Sequence, residues 1–360
     1  MPFQITEYNQ LDARLQSEWR KLWDASFYAH FFNHPFWFLT CVKVFPSETY
    51  RIIVLRNNGE LAAVLPLVTQ KRFGINALVC PGGKHLSKSG LLVKDKNPDA
   101  FFILAEFLAK NHNFYLSELD AEIALVMELG NKQLVLREAS VNPYIPITGD
   151  PFYYLSKKQR HKVCKGYKKH ESHLLYRCLK GSPEGLDVCF DVDFKSSKRK
   201  EGKPVFAGEQ DRKFFRELTA VFNERVIVDL LYYDREPIVF SIGFADKKKY
   251  HACNTAYNEN YHRLSPRKIL LYYTLQRLQA EGFEIFDFSR GLTSLKQEFT
   301  PLLHRQYDVF FSKNIFVRFW WSLANGIYDK LLNSKTFYRT YLVFKVATLK
   351  INGTSKISSR

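Results

Sequence analysis

Ser265, Pro266, Arg267 and Lys268 sit within YHRLSPRKIL (261–270), where a strand-like run gives way to a helix-like one. A serine can cap a helix, a proline fits its first turn, and two cations there add charge where unpaired backbone N–H groups already attract an anion. That is the local design of a phosphate cradle. The guest it implies is the phosphate or pyrophosphate of a cofactor or donor substrate. The bland alternative is a helix cap with nothing bound, because many helices begin Ser-Pro and surface helices often carry Arg-Lys. The cysteines make a weaker case for chemistry. Cys41, Cys80, Cys164, Cys178, Cys189 and Cys253 are scattered without CxxC spacing, so they read as small buried residues or idle thiols rather than zinc ligands or disulfide partners.

A cradle of this kind needs strands on both sides of its helix. Upstream, VIVDLLYYDREPIVFSIGFADKKKYHACNTAY reads as three strands separated by polar turns too short for crossover helices, so they should pair antiparallel. Downstream, PRKILLYYTLQRLQAEG reads as a helix and EIFDF as the next strand. A standard dinucleotide fold would instead repeat crossover units and carry its glycine-rich turn after the first strand. Earlier in the chain, a helix is expected over LDARLQSEWRKLWDAS, and aromatic residues crowd around Pro35 in FFNHPFWFLTCVKVF. RIIVL and LAAVLPLV flank Asn58-Gly59 as a hairpin, with Pro66 favouring an edge or bulge position. A helix follows in DAFFILAEFLAKNH, and LVMEL and QLVLREA are read as strands. The Pro-, Gly- and aromatic-rich stretch at 141–156 is the best domain boundary, and the basic KKQRHKVCKGYKKHESH after it predicts a helix with cations side by side.

At 360 residues the chain can form two ordinary domains or one enlarged one, and a hydrophobic content of 46% argues against disorder throughout. A net charge of +17 leaves anionic cofactors, acidic substrates, nucleic acid and anionic membranes as partners. MPFQITEYNQ lacks the basic leader and apolar segment of a signal peptide, so a reducing cytoplasmic setting is the default, with peripheral contact at the inner membrane face the variant. IFVRFWWSLANGIYDKLLNSKTFYRTYLVFKVATLK alternates apolar clusters with Arg and Lys. It could close the core, dock a partner or lie on an anionic membrane, core packing being favoured, and INGTSKISSR reads as a mobile tail.

FNHPFW, LAAVLPL, LSKKQRHKVCKGYKK, SPRKILLYY and FDFSRGLTSLKQEF occur in that order, and together they resemble the CelD/BcsL-type acetyltransferases, a GNAT-related, FemAB-like family. The resemblance runs from about His30 to Phe299. It implies an α/β (α+β) fold of tandem GNAT-like domains, with mixed, largely antiparallel sheets flanked by helices. The units would be an N-terminal domain at 1–148, an acyltransferase domain at 149–311 and a basic aromatic helical tail at 312–360. It further implies acetyl-CoA or another acyl-CoA as donor, no metal, and a donor site over Tyr257, Ser265, Arg267 and Lys268, although LSPRK has less glycine than the common GNAT pyrophosphate signature. Catalysis would fall to Asp287, Arg290 and Lys296.

Acyl transfer from a thioester needs a nucleophile held at the carbonyl and a way to remove its proton. Asp287, at the end of the EIFDF strand, could orient or deprotonate the acceptor if burial raised its pKa. Arg290 could hold an acceptor carboxylate or phosphate, or clamp Asp287. Gly291 suits a tight strand exit, and Lys296 an anionic ligand or a solvated helix face. His34 and Trp37 could shape an acceptor pocket, with core packing the favoured alternative. Cys253 with His251 forms no complete nucleophilic triad. The leading function is therefore an N-acyltransferase, an acetyltransferase by preference, acting on an amino sugar, amino acid or related surface-polymer precursor, with polysaccharide biosynthesis as the setting. One rival is aminoacyl-tRNA-dependent transfer, in which the basic helix around Arg160 would accommodate RNA. The other is a noncatalytic basic scaffold.

Overall fold

The computed structural model describes residues 3–45, 49–95 and 97–333. The first half starts with Phe3–Tyr8 (β1), Ala13–Ala25 (α1) and Pro35–Val44 (α2). Asn58 and Gly59 both take positive φ, the conformation that a two-residue hairpin turn demands, and join Tyr50–Asn57 (β2) to Glu60–Arg72 (β3). Ile75–Val79 (β4) pairs with β3 at residues 68–72 and Leu92–Val93 (β5) pairs at 63–64. Pro66 lies in the gap between them, a local edge where a missing N–H is tolerated. Pro98–Asn111 (α3) then crosses over to Phe114–Asp120 (β6), which runs parallel to β4. LVMEL does not form a strand. It lies in Ala121–Gly130 (α4), whose Ala, Glu, Leu and Met residues are strong helix formers, with Ile123, Ala124 and Met127 buried on one face. Val135–Pro146 (β7) closes the half.

The second half repeats this plan. After Lys157–His170 (α5) come Leu174–Lys180 (β8), Pro183–Phe194 (α6), Ser197–Lys200 (α7) and Glu209–Phe222 (α8). Val226–Tyr233 (β9), Glu236–Asp246 (β10) and Lys249–Tyr257 (β11) pair antiparallel, as their short turns require. Pro266–Ala280 (α9) crosses to Ile285–Asp287 (β12), parallel to β11, and Ser294–Phe299 (α10) leads to Leu303–Phe311 (β13). Ile315–Asn333 (α11) is the last described element; the rest of the basic tail, including INGTSKISSR, lies outside the described residues.

Among the described residues the strands form one mixed sheet in the order β1-β2-β3-β4-β6-β13-β7-β12-β11-β10-β9-β8, with β5 attached to β3 and helices flanking it. The halves exchange their last strands: β13 pairs with β6 of the first half, and β7 pairs with β12 of the second. An aromatic core joins the halves on one face, where Phe31 stacks on Phe244 at 4.0 Å and Trp37 meets Phe214 edge-on at 5.2 Å.

Candidate active site

The ladder between β11 and β12 spans Lys249↔Ile285, Tyr250↔Phe286 and His251↔Asp287. Beyond it β11 continues while β12 ends, and the divergence opens a cavity of about 380 Å³. Ala252 to Thr255 form one wall, Leu270, Leu271 and Thr274 of α9 another, and Phe286 and Phe288 the floor. Because successive strand side chains face opposite sides, the two phenylalanines on this face send Asp287 to the other. Ligands of open α/β sheets bind at such carboxyl-end divergences of neighbouring strands.

Five cations line the cavity, Lys84, Lys198, Arg267, Arg290 and Lys296, with no Asp or Glu among its lining residues. Lys84 and Arg290 are tethered from outside, Lys84 to Asp211 at 2.5 Å and Arg290 to Glu118 at 3.6 Å and to the Lys84 carbonyl at 2.6 Å. Lys198 donates to the Thr255 carbonyl at 2.7 Å, and burial followed by the Arg267 charge lowers its pKa. Lys296 donates to the Ser289 and Arg290 carbonyls, each at 2.9 Å. Burial, reinforced by Lys198 and Arg290 against the opposing pull of Asp287, brings the Lys296 ammonium down to about 8. Two buried hydroxyls on the lining, Ser289 Oγ and Thr274 Oγ1, have no hydrogen-bond partner. An orphaned buried donor is costly, and each would gain from a partner that a ligand supplies.

The loop after β12 sets these groups. Ser289 takes the left-handed conformation with φ 57, held by its N–H donating to Asp287 Oδ1 at 2.7 Å. Gly291 has φ 89, which favours glycine, and its N–H donates to the Val141 carbonyl at 2.9 Å. An adjoining cavity of about 220 Å³ at the start of α9 is lined by Tyr257, Ser265, Arg267, Lys268 and Glu298, among others. Arg267 lines both cavities, its guanidinium 5.1 Å from the centre of the Tyr257 ring. Lys268 is bound by Glu298 at 2.6 and 2.8 Å. Ser265 does not cap α9 with its side chain. At φ 55 and ψ 50 it is left-handed, whereas a capping serine is extended so that its hydroxyl meets the first-turn amides. Pro266 does occupy the first turn.

On the opposite face Asp287 belongs to a buried ionic cluster. Lys88 Nζ lies 3.5 Å from Asp287 Oδ2, and His251 Nδ1 lies 3.4 Å away, an ion-pair contact too long for a good hydrogen bond. His251 Nε2 is 2.8 Å from Asp246 Oδ2, which also accepts the Phe31 N–H at 2.9 Å. Burial pulls the His251 pKa down, but Asp246 and then Asp287 overcome it and raise it to about 9. For Asp287 burial alone would raise the pKa; Lys88 and His251 outweigh it and hold the carboxyl well below its usual range. Asp287 is thus a fixed anion at neutral pH, and Arg290 pairs with Glu118 rather than clamping it.

Three expected substrate contacts lie elsewhere. His34 is buried, its Nδ1 accepts the Phe36 N–H at 3.1 Å to start α2, and burial followed by Arg225 and Arg20 lowers its pKa to about 3. Trp37 is buried in the core joining the halves and donates to the Pro81 carbonyl at 3.3 Å. Arg160 is exposed on α5 and binds Asp150 at 2.7 Å and the Phe152 carbonyl at 2.9 Å. Sequence reasoning missed Lys84, His85, Ser87, Lys88 and Lys198. The clue for the first four was a basic, serine-rich segment after the Gly82-Gly83 turn, and for Lys198 a short cationic helix that reads as solvated surface.

Residues 157–297 match the family model described as an acetyltransferase (GNAT) domain. The matched segment is similar to GNAT acetyltransferase domains, and the chain is a transferase with a GNAT-like fold. Three solved structures share that fold over most of the chain. FemX has a TM-score of 0.64 at 11% identity, over 87% of this chain and 99% of its own. A conserved protein of unknown function from Bacteroides thetaiotaomicron has a TM-score of 0.60 at 11% identity, over 86% and 100%. L-PGS from Bacillus licheniformis has a TM-score of 0.51 at 14% identity, over 70% and 82%. No curated protein matches the chain.

Proposed function

We propose that this chain is an acyl-CoA-dependent N-acyltransferase. It takes its donor, acetyl-CoA by preference, in the divergence between β11 and β12 and transfers the acyl group directly to an amine of an amino sugar, amino acid or surface-polymer precursor. The observation that carries this reading is the lining of the cavity: five cations, an apolar floor and two unpartnered hydroxyls. Such a lining suits a ligand with an anionic end and an extended body bearing a few amides and a thioester carbonyl. Arg267 and the open start of α9 serve the donor phosphates. Ser289 and Thr274 meet the body's polar atoms, and Arg290 with Lys84 is placed for an acidic group on the acceptor. The resemblance to CelD/BcsL-type enzymes supports the same donor class.

Lys296 is the proton acceptor in this scheme. Two carbonyls fix two of its N–H bonds, so its neutral form has one lone pair left for the proton of the attacking nitrogen. The C–N bond forms as the C–S bond breaks, and Lys296 can return the proton to the departing thiolate. Asp287 acts through position: its carboxylate holds the Ser289 amide and so the turn that presents Ser289 and Arg290.

A second reading, aminoacyl-tRNA as donor, is favoured by the exposed cations of α5, Lys157, Lys158, Arg160, Lys168 and Lys169, because α5 packs against α9 beside the same cavity. Calorimetric titration with acetyl-CoA, longer acyl-CoAs and free CoA separates the two. Saturable one-site binding of acyl-CoA supports the first; no heat at millimolar donor, with saturable binding of aminoacyl-tRNA, moves the donor to the second.

A further inference from the structure

Helix α11 is apolar on two sides. Trp321, Ala324 and Asn325 are buried, and Trp321 packs edge-on against Tyr115 and Phe310 while its Nε1 donates to the Arg72 carbonyl at 3.0 Å. On the other side Ile315, Phe316, Phe319, Trp320, Leu323 and Ile327 are all exposed, Phe316 by 78% and Phe319 by 69%. At about 100° per residue these six fall within one arc of about 140°, adjoining the buried side. A surface helix normally turns its polar face to water, and a contiguous bare patch of large apolar side chains marks a docking face.

The surroundings of this face are cationic. Lys71 and Arg72 end β3 at the turn whose Phe73 carbonyl accepts Trp320 Nε1 at 3.0 Å. Lys132 is in the turn whose Gln133 carbonyl accepts Arg318 at 3.1 Å, and exposed Lys313 lies two residues before the helix. Of the nearby acids, Glu128 is paired with Lys132 at 3.7 Å and buried Asp308 with Arg137 at 3.4 Å, and α11 itself carries Asp329. Residues 334–360, which follow α11 directly, contain six Lys and Arg and no Asp or Glu.

We infer that α11 is a membrane-surface anchor that lays its bare face into the interface of an anionic lipid bilayer. A second copy of the chain, or residues 334–360 folded back, would bring cations against this cationic rim. A hydrated polyanion would leave six apolar side chains in water. Anionic headgroups above acyl chains offer the charge and the apolar layer together. No helix among the described residues is long and apolar enough to cross a membrane, so the contact is peripheral.

The test is co-sedimentation of the full chain with vesicles of phosphatidylcholine alone and of equal parts phosphatidylcholine and phosphatidylglycerol. The expected result is partition to the anionic vesicles about tenfold or more above the neutral ones, weakened by salt. Phe316→Glu with Phe319→Glu should lower that partition about tenfold or more without changing the melting temperature, because both rings already face water. Trp320 emission should shift to the blue on the anionic vesicles alone. Equal partition to both vesicles overturns the inference, as does partition unaffected by the double substitution. So does a substituted protein that melts early or loses a dimer without wild-type lipid binding, since its own tail or a second copy then covers the face.

Discussion

The two halves start their crossover helices in opposite ways. In the first, the Asn97 side chain accepts the Asp99 N–H at 3.0 Å, and Asp99 supplies a negative charge to the first turn of α3. In the second, Ser265 is left-handed and makes no side-chain cap, and Arg267 and Lys268 make the first turn of α9 positive. One helix end is closed by its own residues, and the other is left for an anion. The two divergences differ in the same sense. Where β4 and β6 part, the chain itself returns, with Ser89 donating to the Glu118 carbonyl at 2.7 Å and the Ser87 carbonyl accepting from Asn142 at 3.2 Å. Where β11 and β12 part, a cavity remains. The segment that fills the first gap brings Lys84, His85 and Ser87 to the second and Lys88 to Asp287. Topology thus offers two equivalent places for a ligand, and the residues inserted at each decide which one can take it.

The largest effect should come from breaking the buried ionic cluster around Asp287. His251→Leu leaves Asp246 and Asp287 without their shared cation and should cost about 3–5 kcal/mol in urea unfolding at pH 6. The sign with pH follows from its raised pKa: the stabilisation is fully present below about 6.5, the unfolded value, and is lost as pH rises through about 9. A wild type equally stable on both sides of that window, apart from changes shared with the variant, would remove His251 from this role. Next, Lys296→Gln should lower kcat about 100-fold while leaving donor affinity unchanged. The wild-type rate should rise with pH through about 8, because the base works when deprotonated, and the variant should lose that limb. A variant that keeps the limb would assign it to another group.

The helix ends can be compared directly. Arg267→Ala should weaken acetyl-CoA binding about tenfold in calorimetry, the loss of one charge-assisted contact, while Asp99→Asn in α3 should leave it unchanged. Equal effects would erase the asymmetry between the halves. Two glycines sharpen it at lower amplitude. At Gly291 an added methyl meets nothing within 4 Å, so Gly291→Ala should cost only backbone strain, about 1 kcal/mol in unfolding. At Gly82 the same methyl meets the Trp37 ring at 2.9 Å, and Gly82→Ala should cost more, since it must also displace a core tryptophan.

Signals carried by neighbouring residues were legible in the sequence. Asn58-Gly59 specified its hairpin, the spacing of three strands specified β9 to β11, and Pro266-Arg267-Lys268 located the start of α9. What required distance was hidden. Lys84 and Lys198 reach the cavity from separate elements, and no local pattern distinguishes them from solvated lysines. The aromatic run around His34 and Trp37 advertised burial without saying on which side of the sheet, and it proved to be the seam between halves. LVMEL was ambiguous because a short apolar run fits either period, and its helix-forming residues decided the outcome. Ser265 had the right identity for a cap, but the left-handed turn from the preceding segment prevents it.

The exchanged terminal strands bear on how the chain is made. Gln306 of β13 hydrogen-bonds Asp120 at the end of β6 across 186 residues of sequence. A ribosome adding about 5–20 residues per second needs roughly 10–40 s to cover that interval. Through that time the early half waits with an open sheet edge. Its completion is set by synthesis of the last strand, so anything that halts translation before β13 leaves the first half unfinished.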